Sequence, residues 1–247
     1  MNQASFTITS ALGISNGFFD GEKFGISITS VEFRRLEITD WHAKVLVIIK
    51  LNTGASFIDV KDEALVLRSR LCSLCCLVSY TDAIASDEIE YTDSNNKTTT
   101  YVIRGDSGLA KSKSTPFFID LSQMSLLKTQ EWCAVDRFGK AISTKISESD
   151  RVEELYGTID ILGKVITNST QVQARMREYL KTISISTGDM ENIITNRNIK
   201  IHENKYKSKF REDFDLLKDL IRNDLLSRLN IQGRRPLIDP TAGVSFF

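Results

Sequence analysis

The sequence predicts an α+β chain whose strands come first and whose helices come last. Two observations carry this. Up to about residue 145, short runs rich in Ile, Val, Phe and Thr alternate with turn residues; beyond it, apolar residues recur every three or four positions. The expected parts are a β-rich module over 1–145 with one long helix, an all-α bundle over 146–232 and an extended tail over 233–247.

In the first part, Phe6-Thr7-Ile8-Thr9 alternates, and Phe24 to Phe33 and Ala43 to Leu51 read as strands. Asn52-Thr53-Gly54 breaks the pattern. A helix is expected from about Val60 to Tyr80, with Ala64, Leu67, Leu71, Leu74, Cys75 and Val78 on one face. Strands resume at Glu88–Tyr91 and Thr99–Ile103, joined by the polar turn Asp93–Lys97. In the second part, Val152, Leu155, Tyr156, Ile159, Leu162 and Ile166 form one stripe, and Val172, Met176, Tyr179, Leu180 and Ile183 a second. Phe210, Phe214, Leu217, Ile221, Leu225 and Leu229 form a third, in a helix expected from about Ser208 to Leu229. Ser169 and Ser208 are the expected N-caps. Three or four amphipathic helices with short connections imply a compact bundle. The tail holds Pro236 and Pro240, which cannot continue the last helix, and ends in Phe246-Phe247, expected to pack on this chain or a neighbour.

The 247 residues carry 32 basic and 32 acidic side chains, so any nucleic-acid contact must come from a local patch. The four cysteines, Cys72, Cys75, Cys76 and Cys133, are too few and too clustered for a secreted disulfide framework. A closed zinc site needs four ligands, and only Cys133 and the distant His42 remain beside Cys72, Cys75 and Cys76. These cysteines are therefore expected in the core, and no metal or cofactor is expected. No apolar run approaches the ~20 residues that cross a bilayer, and Met1–Ser5 lacks the features of a signal peptide. A soluble, cytoplasmic protein with no membrane contact is the expectation. Gly105-Asp106-Ser107-Gly108 reads as a turn, without the lysine and helix of a phosphate-binding loop.

The stretch that carries chemistry is Arg197-Asn198-Ile199-Lys200-Ile201-His202, which holds one of the two histidines in the chain. RNA cleavage through its own 2′-hydroxyl needs a base, an acid and positive charge on the developing phosphorane. His202 is the candidate base or acid, Arg197 the fork of donors for phosphate oxygens, and Asn198 the orienting amide. From Arg197 to Arg211 there are six cations (Arg197, Lys200, Lys205, Lys207, Lys209 and Arg211) against one acid, Glu203. Lys200, Lys205, Lys207, Lys209, Arg211 and the aromatic Tyr206 are the expected RNA contacts; the other reading is a solvated charged face. His42 is expected to be structural.

On a continuous helix, residues five apart sit ~140° around the axis, so Arg197 and His202 would diverge. They meet only if the helix breaks between them or if each faces another chain. The alternation of Ile199 and Ile201 with Lys200 and His202 suggests a break. A single histidine also leaves each chain short of an acid or a base, which a twofold dimer resolves.

Arg197, Asn198 and His202, set between amphipathic helices, resemble the motif of the HEPN family of α-helical ribonuclease domains, over about residues 148–230. The β-rich front resembles the N-terminal region of HEPN proteins of abortive-infection systems at the level of fold. The resemblance implies a HEPN-like helical bundle acting as a metal-independent endoribonuclease. It implies a homodimer with paired motifs in one cleft, and a toxin or anti-phage defence role, with a larger defence complex or an antitoxin as further partners. It equally accommodates a non-catalytic dimerisation or adaptor module.

Overall fold

The computed structural model describes residues 2–27, 30–39, 42–51, 57–79, 83–103, 117–119, 121–203 and 209–231. The tail, the Gly105–Gly108 turn, Ser208, Lys205, Tyr206 and Lys207 lie outside the described residues.

The described chain is a mixed α/β fold of six α-helices and nine strands, seven of them in one antiparallel sheet. Strand β1 (Gln3–Ser10) is central, because Ala4, Phe6, Ile8 and Ser10 alternate inward and give it a buried face along its whole length. On one side it pairs with β5 (Ala43–Lys50), which pairs with β4 (Ser30–Ile38) and then β3 (Gly17–Phe19). On the other it pairs with the short β6 (Ile84–Ala85) and with β7 (Glu88–Thr92), which is followed by the edge strand β8 (Thr98–Val102). A separate parallel pair joins β2 (Leu12–Ile14) to β9 (Phe117–Ile119).

The strand expected over Phe24 to Phe33 is displaced. Asp20 accepts a hydrogen bond from the Glu22 amide and starts a 3-10 turn, Gly21–Phe24, which Gly25 ends in the left-handed conformation (φ 64°). Phe24 is thereby inserted into the core against Phe33 and Trp132, and the strand begins only at Ser30. His42 sits in the β4–β5 connection, where its amide donates to the Thr39 hydroxyl (3.1 Å) and its carbonyl accepts from the Thr39 amide (2.9 Å).

Helix α1 (Phe57–Ser79) lays Val60, Ala64, Leu67, Leu71, Leu74, Cys75 and Val78 into the core that includes the inner sheet face. Cys75 and Cys76 are buried there and Cys72 is partly buried, whereas Cys133 is exposed. Helix α2 (Thr129–Ile142) packs on α1; its Trp132, Val135, Phe138 and Ile142 are buried at helical spacing. Gly139 makes the approach possible, since a Cβ there would lie 2.8 Å from Ser73 Cβ and 2.9 Å from its Cα.

Helix α3 (Glu148–Ile166) packs on α2, and α4 (Val172–Thr182), α5 (Thr187–Glu203) and α6 (Lys209–Leu229) complete the helical layer. Ser147 caps α3 by accepting from the Asp150 amide. Ser169 does not cap α4: its hydroxyl accepts from the Gln171 amide in the turn before, and the helix begins at Val172. One continuous cluster of buried apolar residues runs from the sheet through α1, α2 and α3 to α6. Arg222 on α6 ties the two halves together, donating to the carbonyls of Leu77 (2.8 Å) and Val78 (2.6 Å) in the last turn of α1. No described helix is long and apolar enough to cross a membrane.

Candidate functional site

Helix α5 starts where Ser186 accepts from the Asp189 amide (3.2 Å) and donates to the Asp189 carboxylate (2.6 Å). It then runs without interruption to Glu203. The break expected between Arg197 and His202 is absent. Its inward stripe is Met190, Ile193, Ile194, Asn196 and Lys200, so the last turns bury polar residues where an apolar pattern was sought. Each has a partner on a neighbouring helix. Asn196 donates from Nδ2 to Asp213 Oδ2 on α6 at 3.0 Å, and Lys200, 4% exposed, pairs with Glu153 on α3 at 3.6 Å. Ile199 is partly buried against the core rather than marking a strand-like alternation.

With α5 continuous, positions 197 and 202 lie ~140° apart around its axis. Arg197 is partly buried and donates from Nη1 to Asn198 Oδ1 at 3.2 Å, so the guanidinium and its neighbouring amide are joined within one chain. The side chain of His202, like those of Ile201, Glu203 and Lys209, lies outside the described residues. Of the expected RNA contacts, Arg211 is exposed in the first turn of α6, and Lys209 begins that helix. Lys200 is placed otherwise: its ammonium is inside, engaged by Glu153, and not presented to a polyanion.

Beneath the motif lies a network that sequence reasoning missed. Asp213 accepts from Asn196 and also from the Tyr156 hydroxyl of α3 at 2.7 Å, joining α3, α5 and α6 at one carboxylate. Burial pushes the Asp213 carboxyl above the usual range; the two hydrogen bonds pull the other way, and the neighbouring Glu212 and Asp189 charges push in the same direction as burial. A signal was present: Asn196 follows Ile193 by one turn, and Asp213 stands inside the stripe Phe210, Phe214, Leu217, where a polar residue must find a partner.

Asp213 also lines a cavity of about 400 Å³ between α5 and α6. Asp189, Glu212, Asn192, Thr195 and Ile199 are among its other described lining residues, and none of those described is a cation. Arg197 does not line it. Among the described residues, no group of three or more His, Cys, Asp or Glu converges as metal ligands do. Chemically, one chain thus presents an amide-linked guanidinium on one side of α5, position 202 on another, and an acidic cavity along the helix.

No family model matches this chain, and no curated protein or solved structure is similar to it.

Proposed function

We propose that the chain is a metal-independent endoribonuclease of the HEPN type that works as a homodimer. Arg197 stabilises the phosphorane, His202 acts as base or acid, and Asn198 orients the guanidinium. The observation that carries this reading is the unbroken α5. If an arginine and a histidine five residues apart serve one phosphate, a continuous helix calls for the histidine of a second chain, which is why the proposal is a dimer. Each protomer then contributes one motif to a single cleft, one histidine as base and the other as acid. The basic track for RNA is drawn from Arg211 and the lysines at 205, 207 and 209, with Lys200 serving the fold through Glu153. The biological setting implied by the resemblance is toxin action or anti-phage defence.

The test is cleavage of single-stranded RNA by the purified full chain in excess EDTA. Arg197→Ala and His202→Ala are each expected to lower the rate by about 10²-fold or more. Mixing the wild-type chain with an excess of His202→Ala is expected to lower the activity more than dilution alone, because a mixed dimer keeps one histidine where a base and an acid are both needed. A metal requirement, or activity that survives both substitutions, overturns the mechanism. Activity that falls only in proportion to the wild-type fraction overturns the shared site.

A second reading is favoured by the acidic α5–α6 cavity, whose Asp189, Glu212 and Asp213 repel a polyanion. Here the same helices form a non-catalytic dimerisation or adaptor module. Induced expression separates the two: toxicity abolished by His202→Ala supports the nuclease, and harmless expression supports the adaptor.

A further inference from the structure

A second cavity, of about 290 Å³, lies between α1, the C-terminal end of α2 and the β6 segment, and none of its lining residues belongs to α5 or α6. Its charge is one-sided. Arg68, Lys140 and Lys145 line it against one carboxylate, Asp87, and none of the three cations is in an ion pair with a described residue. Lys140 stands in the last turn of α2, where it offsets the negative end of the helix dipole. Against Asp87, Arg68 and Lys145 leave one surplus positive charge. Cys72 adds no negative charge at neutral pH, because burial pushes its thiol up to about 11 even though Arg68 and Lys145 draw it down.

Arg68 is held in place by the donation of Nη2 to the Ala85 carbonyl (3.3 Å), while its Nε is buried with no partner among the described residues. A buried donor without an acceptor is costly, and a ligand oxygen relieves it. The rest of the lining supplies a different chemistry: Leu65, Ile84 and Ala85 are apolar, and Ser69 and Ser143 offer hydroxyls. The volume stands near the lower end of the ~300–1,000 Å³ typical of small-molecule sites, well beyond what a bare phosphate ion fills.

We propose that this cavity binds a small organic phosphate, its phosphoryl group held by Arg68, Lys145 and Lys140 and its organic body laid against Leu65 and Ile84. The site is independent of the ribonuclease reading, since it shares no residue with the Arg197 motif. Isothermal titration calorimetry on the full chain tests it, with the four nucleoside 5′-monophosphates and glucose 6-phosphate as probes and inorganic phosphate and the parent nucleosides as comparison arms. At least one ester is expected to bind about tenfold or more tightly than inorganic phosphate and than its dephosphorylated parent. Lys140→Gln with Lys145→Gln removes two exposed charges without touching the core, and is expected to weaken that ester about tenfold while the melting temperature holds. Arg68→Gln should do the same, and Arg197→Ala should leave binding unchanged. Esters that bind no more tightly than inorganic phosphate overturn the proposal, as does binding indifferent to the lysine pair and to Arg68→Gln.

Discussion

Asp213 shows how one side chain sets conditions for the helix that bears the motif. The residue is 9% exposed, and its carboxylate holds both Asn196, the neighbour of Arg197, and Tyr156. Because burial raises its folded pKa above the unfolded value, the native state binds more protons than the unfolded chain between those two values. Stability contributed at this position therefore falls as pH rises through that window and stays lower above it. Asp213→Asn keeps an oxygen for Tyr156 and Asn196 and cannot ionise. It is expected to flatten that part of the stability-pH curve, measured by urea unfolding from pH 4 to 8. Asp213→Ala strands both donors and should cost about 1–3 kcal/mol; an alanine variant as stable as the wild type would remove Asp213 from this role. The hexapeptide from Arg197 to His202 was legible as residue types, but its polar anchors were not. Lys200 read as a cation for RNA because a sequence displays charge and not burial, and only Glu153 on a different helix explains its place.

Between elements, the joints are made by charged or small residues that periodicity does not rank. Arg222 is buried on α6 and satisfies two terminal carbonyls of α1, far away in sequence. Arg222→Met keeps the apolar stem and removes the donors. It should destabilise the fold by about 2–3 kcal/mol, since charge-assisted bonds to buried acceptors are lost. In thermal unfolding this corresponds to a midpoint about 4–12 °C lower. An unchanged midpoint would show that the clamp contributes nothing. The long helices α1, α3 and α6 were legible because their apolar stripes extend over many turns, and β1, β5, β7 and β8 because short Ile-, Val- and Thr-rich runs sit between turn residues. Helix α2 was overlooked although Trp132, Val135, Phe138 and Ile142 keep the period; it is short and lies where the strand pattern was expected to persist. The 3-10 turn at Gly21–Phe24 escaped because Phe24 reads as strand, while Asp20 and Gly25 dictate the local backbone.

At the scale of the molecule, α2 decides how the two halves behave. It packs on α1 on one side and on α3 on the other, and the buried cluster passes through it without a gap. Separating residues 1–145 from 146–232 would uncover the seam between α2 and α3 and take the Leu77 and Val78 carbonyls from Arg222. The hydrophobic contribution lost would scale at about 25 cal/mol per Å² of newly exposed apolar area. Such a joint couples the halves into one cooperative unit. Denaturant unfolding should therefore be a single transition. Tryptophan fluorescence reports the front half, since Trp132 lies in the α1–α2 core and both tryptophans precede residue 145. Far-UV circular dichroism is dominated by the helices, most of which lie behind that point. Coincident midpoints from the two probes are expected; midpoints that separate would mean that the helical half unfolds on its own. If the halves unfold together, occupancy of the cationic cavity on α1 and α2 is linked to the stability of α5, because a ligand that binds only the folded chain stabilises all of it by the same free energy. The ester that binds there should then raise the fluorescence midpoint and the circular dichroism midpoint equally, and a shift confined to fluorescence would separate the cavity from the motif helix.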